Sequence, residues 1–468
     1  MAIKFERAQI HDRMTFENPW WAAGHIEEFY NRMKRRDYLS LFMPLIEEKK
    51  VKRAVVLMGP RRVGKTVMLY HTIEQLIHSG INPKQICYFQ IDTPIYNGIA
   101  LDELVQLFLS QDGVDPKAQS YILFDEIQYL KEWEVHLKSL VDSYHTVKFV
   151  VSGSAAAALK LKGRESGAGR FTDFILPPLT FKEYLSLTGS EHLIDEQNIA
   201  ELNVKFIAYI NYGGYPEVSL SPEIQQNPGR YIRNDIIDKV LLRDLPSLYG
   251  IQDIQELNSL FTYIAYHTGS EMSLDSISQN AGVTKNTIKR YFTYLEAAFL
   301  IKIVHRIDQS GKKFKRANFF KVYLTNPSLR SALFSPIADS DPFIGNMVET
   351  AVFSQWQHDV EHCDMYYARW QQGEIDMVNL VKDQKPNWAM EIKWSNRGLE
   401  HPEEIKQLMS FGRRHEIKTV TVTTKDVTKT EIINGVKCVF MPAARVALLV
   451  GSSLVAGRIL DATQSKLE

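Results

Sequence analysis

Three cysteines in 468 residues, Cys87, Cys363 and Cys438, are too few and too scattered for a disulfide framework, and none stands at metal-ligand spacing. The formal net charge is zero, so the chain as a whole is no polyanion binder and any nucleic-acid surface must be local. No stretch reaches the roughly 18 apolar residues of a membrane helix. The apolar run from Arg445 to Ala456 is too short, and a glycine and serines interrupt it. The N-terminus, MAIKFERAQIHDR, has no apolar signal core. Internal repeats and low-complexity tracts are missing as well. These absences predict a soluble protein of a reducing cytosol with no membrane partner. His267, His305 and His362 stand alone and are expected to be ordinary histidines.

What is present divides the chain. Residues 1–40 are aromatic and basic and read as an entry segment, with Trp20-Trp21 expected to pack on the domain that follows. Residues 41–200 alternate short apolar runs with helices: KRAVVLM (52–58), QICYFQI (85–91), YILF (121–124) and KFVV (148–151). That alternation predicts an α/β domain with a parallel sheet covered on both faces. Residues 201–250 turn helical around Gly213-Gly214-Tyr215-Pro216, 251–335 read as a winged-helix module, 336–450 as a further α/β domain, and 451–468 as a tail.

The first strand runs into Gly59-Pro60-Arg61-Arg62-Val63-Gly64-Lys65-Thr66, a complete phosphate-binding loop ahead of a helix. Glycines let successive backbone N–H groups turn inward around anionic oxygens, and the helix presents its positive end to them. Lys65 supplies a point charge for the β- and γ-phosphates of ATP, and Thr66 a hydroxyl for Mg2+. The strand Tyr121–Phe124 ends in Asp125-Glu126. Asp125 is expected to hold Mg2+ through water and Glu126 to polarise the attacking water. Ser154, after Lys148-Phe-Val-Val-Ser152-Gly153, is placed to sense the γ-phosphate, with a plain turn as the other reading. Arg170 is either a charge stabiliser, in cis or from a neighbouring copy in a homo-oligomer, or a surface ion pair.

The segments GPRRVGKT, YILFDEIQ, SGSAA, GRFTDFILPPLTFKEYL and GGYPEV occur in that order. With them the chain resembles the prokaryotic AAA-type ATPases of the archaeal-ATPase (MNS-type) group, over about residues 35–450. The last two segments discriminate, whereas the first two are generic to P-loop proteins. The resemblance implies a P-loop AAA-type core, a helical lid, a winged helix and a C-terminal restriction-endonuclease-like α/β domain.

Within 251–335, Leu274–Asn280 reads as a helix. Thr284 is expected to cap a recognition-type helix whose Ile288, Tyr291 and Leu295 face inward, with Phe292 outside that stripe. A strand at 300–306 and a basic loop at 311–316 complete a wing. Ten Lys/Arg against two Asp/Glu between Ala281 and Lys321 make a local balance of +8. That footprint suits phosphate-backbone contact, with DNA the expected partner, through Lys285, Lys289, Arg290, Lys312, Lys313, Lys315 and Arg316. A docking module with a solvated basic face is the alternative.

Further on, Gly373-Glu-Ile-Asp376 and Glu391-Ile-Lys393 read as two strands of a hairpin. Symmetry about its turn sets Asp376 opposite Lys393 with Glu391 diagonal to it. Two carboxylates and an ammonium on one face suit phosphodiester cleavage with Mg2+ or Mn2+, Asp376 and Glu391 ligating and Lys393 orienting water. Glu349, on an upstream apolar helix, could complete the metal site. Cross-strand ion pairs on a solvated sheet are the plainer reading. The order Glu349, Gly373-x-x-Asp376, Glu391-x-Lys393 and Gln407 resembles the PD-(D/E)xK nucleases, in particular their RecB-like branch, although Phe411 stands where a tyrosine is usual. The expected function is therefore an ATPase that engages DNA and carries a nuclease, or else an ATP-gated switch whose nuclease-like domain is silent.

Overall fold

The computed structural model describes residues 6–153, 169–195, 198–313, 318–356, 365–371, 373–381 and 385–464. Its internal contacts define two units, one built on Met1–Leu176 and one on Pro177–Ala456. Among the described residues no helix is long and apolar enough to cross a membrane.

The first unit contains α1 (Arg7–Glu17), β1 (Ala54–Met58), α2 (Lys65–His78), β2 (Ile86–Gln90), β3 (Ser120–Asp125), α3 (Trp133–Ser143), β4 (Val147–Gly153) and β5 (Phe171–Ile175). The strands pair in the order β2-β3-β4-β1-β5, every pairing parallel. All five residues of β1, AVVLM, are buried, as the central strand of a sheet covered on both faces requires. Parallel strands expose their carboxyl ends together, so the loop after β1 and the acids after β3 open on one edge of the sheet.

An edge strand such as β2 offers unpaired backbone groups. Here Asn18 satisfies them as a neighbouring strand does: its amide donates to Tyr88 O at 2.9 Å and its carbonyl accepts from Tyr88 N at 2.6 Å. The indoles of Trp20 and Trp21 both donate to Ile86 O, at 3.0 and 2.7 Å. The entry segment is thus built into the first unit, and the expected packing of the two tryptophans holds.

Lys148, near the start of β4, is buried, with its ammonium 3.3 Å from Glu48 O. Burial, partly offset by the Glu48 charge, pulls its pKa down to about 8. An unfolded lysine titrates near 10.4. Between those values the unfolded chain holds more protons, so stability rises with pH across that window, and below it the full cost of burying the charge is present. Lys148→Met should therefore raise the melting temperature at pH 7, and the gain should shrink as pH climbs from 8 towards 10. A gain that stays constant over that range would count against this account.

In the second unit, residues 201–250 are largely helical: most of α4 (Ile199–Tyr212), then Pro216–Leu220, Pro222–Gln226, two π-helical stretches, Gly229–Asp238 and Val240–Asp244, and Leu245–Tyr249. The break after α4 needs glycine. A Cβ on Gly213 would fall 2.0 Å from the Tyr209 ring, and one on Gly214 2.5 Å from the Asn326 side chain. Next come α5 (Ile254–Tyr266), β6 (Glu271–Ser273), α6 (Leu274–Ala281), α7 (Lys285–Ala297), β7 (Ile301–Ile307) and β8 (Phe319–Leu324). Thr284 caps α7 by accepting from Thr287 N. Ile288, Tyr291 and Leu295 are buried as expected, but so is Phe292, whose ring meets Phe320 of β8 edge-on at 5.5 Å. The hairpin β7–β8 gives Phe292 a partner that helical periodicity does not show.

The unit continues with α8 (Ile344–Trp356), β9 (Met365–Trp370), β10 (Gly373–Leu380), β11 (Pro386–Glu391), α9 (Lys406–Arg414), β12 (Thr419–Thr424), β13 (Lys429–Ile433), β14 (Val436–Pro442) and α10 (Ala443–Gln464). Nine strands form one sheet, β13-β14-β12-β11-β10-β9-β7-β8-β6. The segments expected as a winged helix and as a C-terminal domain therefore share a sheet, joined where β7 pairs parallel with β9 at Arg306–Tyr367 and Ile307–Ala368.

The register of β10 and β11 corrects one expectation. Met377 pairs with Met390 and Val378 with Ala389, and the pairing shifts between Asn379 and Leu380. The irregularity makes the hairpin asymmetric about its turn. Asp376 consequently lies level with Glu391, and Lys393 falls past the end of β11.

Candidate functional site

The phosphate-loop geometry follows from β1 ending beside β5. Leu176 N donates to Met58 O at 2.7 Å, bringing its own carbonyl so close that a Cβ on Gly59 would stand 2.1 Å from Leu176 O. Only glycine fits there. Gly64 takes a positive φ of 94° immediately before α2 and turns the chain into the helix. Arg36, buried, donates to Val63 O at 2.7 Å and braces the loop from the entry segment. Lys65 is buried at the start of α2, its ammonium 3.1 Å from Gly59 O and 2.8 Å from Pro60 O.

Thr66 Oγ1 donates to Asp125 Oδ2 at 2.6 Å, so the two residues expected at Mg2+ meet across the edge of the sheet. A hydroxyl and a carboxylate are the hard oxygen donors that ion takes, and they fit it. Asp125 is further held by Tyr88 OH at 2.9 Å on Oδ2 and by the Ser152 hydroxyl on Oδ1. Burial, with the Asp125 charge beside it, pushes the Tyr88 phenol well above its ordinary range, so it remains a donor. Glu126 adopts a left-handed φ of 55°, its N–H donating to Asp125 Oδ1 at 3.1 Å, and Gln128 holds its carboxylate through Nε2. The turn separates the roles of the two acids: Asp125 is locked in the strand, and Glu126 is swung beyond it.

Two further members were expected. Ser154 lies outside the described residues. Arg170 precedes β5, which pairs with β1 from Phe171–Ala54 onward, and its backbone carbonyl accepts from Ala54 N at 2.9 Å. That places it at the amino end of the sheet. The phosphate loop opens at the other end, about five residues or roughly 16 Å along β1. Its guanidinium pairs with Asp142 of α3, both half exposed. Arg170 is a surface ion pair with respect to its own loop. Tyr88, Ser152 and Arg36 are the members that sequence reasoning missed. Only the hydroxyl at the end of β4 carries a signal, and it belongs to Ser152.

In the second unit the structure gathers Glu349 of α8, Asp376 of β10 and Glu391 of β11, the three acids singled out from the sequence, together with Glu374 of β10, which was not. It adds a residue that was overlooked. Lys321 of β8 is 3% exposed, and its ammonium lies 2.9 Å from Glu349 Oε1, 2.9 Å from Glu374 Oε1 and 3.2 Å from Asp376 Oδ1. Tyr323, two residues on and on the same face, donates to Glu349 Oε1 at 2.5 Å. Ile392 N donates to Asp376 Oδ2 at 2.9 Å. Lys393 pairs with Glu391 at 2.7 Å rather than with Asp376. Glu391 Oε2 is buried without a hydrogen-bond partner. Burial pushes Glu349 up to about 7 against the pull of Lys321, and Glu391 up to about 8 with Asp376 adding to the rise. Burial alone would lower Lys321, but the charges around it, Glu349 foremost, carry it well above its ordinary value. It is a fixed cation. A lone lysine inside the apolar run Phe319-Phe-Lys-Val-Tyr-Leu324 is the signal that could have found it.

The carboxylates thus enclose an ammonium, and among the described residues no group of three or more His, Cys, Asp or Glu is arranged to hold a metal. As they stand these residues do not fit Mg2+ or Mn2+. Gln407, the other residue of the nuclease-like pattern, packs on the backbone of Gly373, where a Cβ would fall 2.8 Å from its Cγ. Phe411 stacks on Trp370 at 6.1 Å.

Of the basic residues assigned to nucleic acid, Lys289, Arg290 and Lys312 are exposed. Lys285 pairs with Asp275, and Lys313 lies over the Tyr366 ring at 4.6 Å. Lys315 and Arg316 lie outside the described residues. Lys321, counted in the basic footprint, is buried in the carboxylate cluster. The stem of the expected wing loop rests on neighbours: Gln309 O is 2.9 Å from His415 Nε2, and a Cβ on Gly311 would meet Pro386 at 2.7 Å.

Comparison with known proteins agrees with the first of these sites. Residues 51–185 match the family described as an AAA domain, and residues 203–340 match a domain of unknown function (DUF8612). An uncharacterized protein of Haemophilus influenzae is 25% identical over 418 residues, spanning 87% of this chain and 97% of that protein. An uncharacterized protein of Methanocaldococcus jannaschii is 24% identical over 355 residues, 69% of this chain and 72% of that one. Among solved structures, the Aeropyrum pernix ORC2 protein aligns with a TM-score of 0.38 at 12% identity, covering 64% of this chain and 94% of its own. A Walker-type ATPase of Pyrococcus abyssi aligns with a TM-score of 0.38 at 14% identity, with the same coverage.

Proposed function

We propose, for a chain whose first unit is an AAA-type P-loop ATPase domain, that ATP turnover there operates a DNA-engaging switch. Lys65, Thr66 and Asp125 hold MgATP and Glu126 orients the water. The second unit meets the phosphate backbone through the exposed Lys289 and Arg290 of α7 and through Lys312, without reading base sequence. The observation that carries the choice of a switch over a nuclease is Lys321, a buried ammonium at the centre of the carboxylates a nuclease would need for metal. The hairpin that brings it there follows α7 directly in the chain, so Lys321 and the proposed nucleic-acid face are carried by consecutive elements.

The nuclease reading keeps one observation in its favour: Asp376 and Glu391 share a face, and Lys393 is paired with Glu391. Incubation with linear, circular and single-stranded DNA, in Mg2+ or Mn2+ and with or without ATP, separates the two. The switch predicts binding without cleavage under every condition. It also predicts that Lys289→Glu with Arg290→Glu weakens binding about equally for all sequences and flattens its dependence on salt. Cleavage that disappears in Lys393→Ala while binding persists would establish the nuclease instead.

A further inference from the structure

The geometry points to Lys321 as a protein-borne substitute for a divalent ion, so that seating of the β7–β8 hairpin and binding of a metal at Glu349, Asp376 and Glu391 exclude each other. The inference rests on the silent-site part of the reading above. Three facts carry it. The ammonium makes contacts of 2.9–3.2 Å with carboxylates from two separate elements, as a small cation does, and it does so from a third element, β8. The surrounding acids are crowded and largely buried: the side chains of Glu349, Asp376 and Glu391 are only 13%, 11% and 12% exposed. One oxygen, Glu391 Oε2, is buried beside the cluster and has no hydrogen-bond partner among the described residues. An ammonium offers three protons and is fully used by Glu349, Glu374 and Asp376. A divalent ion, with six or more coordination positions, could reach a further oxygen.

The hairpin is joined to the rest of the sheet by a short seam. Among the described residues β7 pairs with β9 at two positions, Arg306–Tyr367 and Ile307–Ala368, and the hairpin is otherwise held by packing such as that of Tyr323 on Phe353. Lys321 and Tyr323 both reach Glu349 from the far strand of that hairpin, so lifting it removes the ammonium and the phenol together. Glu349 and Asp376 would then lose the ammonium they share, while Glu374 keeps Arg369 and Glu391 keeps Lys393, and the two acids left bare must recruit a cation or take up protons.

Mn2+ titration of the full-length protein without nucleotide, followed by electron paramagnetic resonance, tests this. Wild type and Asp376→Asn should bind the same number of ions. Lys321→Met, which keeps volume and removes charge, should bind one ion more, at least tenfold tighter than any wild-type site in this region. The extra ion should vanish in Lys321→Met/Asp376→Asn. Loss of an ion from wild type on Asp376→Asn overturns the proposal, and so does a folded Lys321→Met that gains none. If Lys321→Met does not fold, the wild-type and Asp376→Asn comparison still decides. The readout is an ion count, so a failure to bind DNA in the assay above would sink the DNA-engaging part of the switch reading and not this inference.

Discussion

Lys65→Ala should lower ATP affinity about a hundredfold and bring hydrolysis to background, with circular dichroism unchanged. The ammonium is held within 3.1 Å of the carbonyls of Gly59 and Pro60 at the mouth of the loop, buried and anchored at the first turn of α2. From there it reaches anionic oxygens held by the loop's backbone N–H groups. A hydrogen bond to a charged group contributes about 1.5–3 kcal/mol. Two such bonds lost to the β- and γ-phosphates amount to about 3 kcal/mol at the low end, which is about two decades in the dissociation constant. Alanine suits the helix start, so folding is not the expected casualty. Calorimetric titration with a non-hydrolysable ATP analogue measures the effect, and equal affinity in the two proteins would remove Lys65 from the site.

Glu126→Gln should do something different, leaving ATP bound and cutting turnover by roughly 10²–10⁴, the contribution of a positioned general base. The division of labour between the two acids is visible in the chain's path. Asp125 is fastened by Thr66, Tyr88 and Ser152, whereas the left-handed turn at Glu126 carries its carboxylate past the strand end to Gln128. Glutamine preserves the shape and the contact and removes the proton acceptor. Single-turnover hydrolysis alongside a filter-binding assay separates the two quantities. A fall in affinity equal to the fall in rate would mean that Glu126 holds the nucleotide rather than the water.

The nucleotide site was legible because its parts are local. A strand, a glycine-bounded loop and a helix occupy residues 54–78, and the chemistry demands a particular residue type at nearly every step. The same holds for β3 and its two terminal acids. What sequence could not show is which distant side chains lock that constellation. Tyr88 reaches Asp125 because β2 and β3 are parallel neighbours, and Arg36 reaches Val63 because the entry segment folds back along the unit. For Arg170 the sequence left two readings open for the converse reason. Its neighbours in sequence suit a catalytic arginine, but only the pairing of β5 with β1 reveals which end of the sheet it occupies.

The carboxylate site shows the same division more sharply. Alternation along two strands was enough to bring Asp376 and Glu391 to one face, because side-chain direction in a strand has a period of two. Register is a different quantity. It depends on where the ladder shifts, and the irregularity at Asn379 and Leu380 moved Lys393 away from Asp376. The arrival of Lys321 depends on something further still, the pairing of β7 with β9 across some sixty intervening residues.

By itself, the sequence determined that this protein grips a triphosphate, because a phosphate cradle is made from consecutive residues whose backbone freedom and charge are written in order. Only the tertiary structure decided what the second cluster of acids encloses. A buried carboxylate's behaviour is set by the charges within a few ångströms of it, and the one that three of these acids share, the ammonium of Lys321, comes from a strand that no local pattern connects to them.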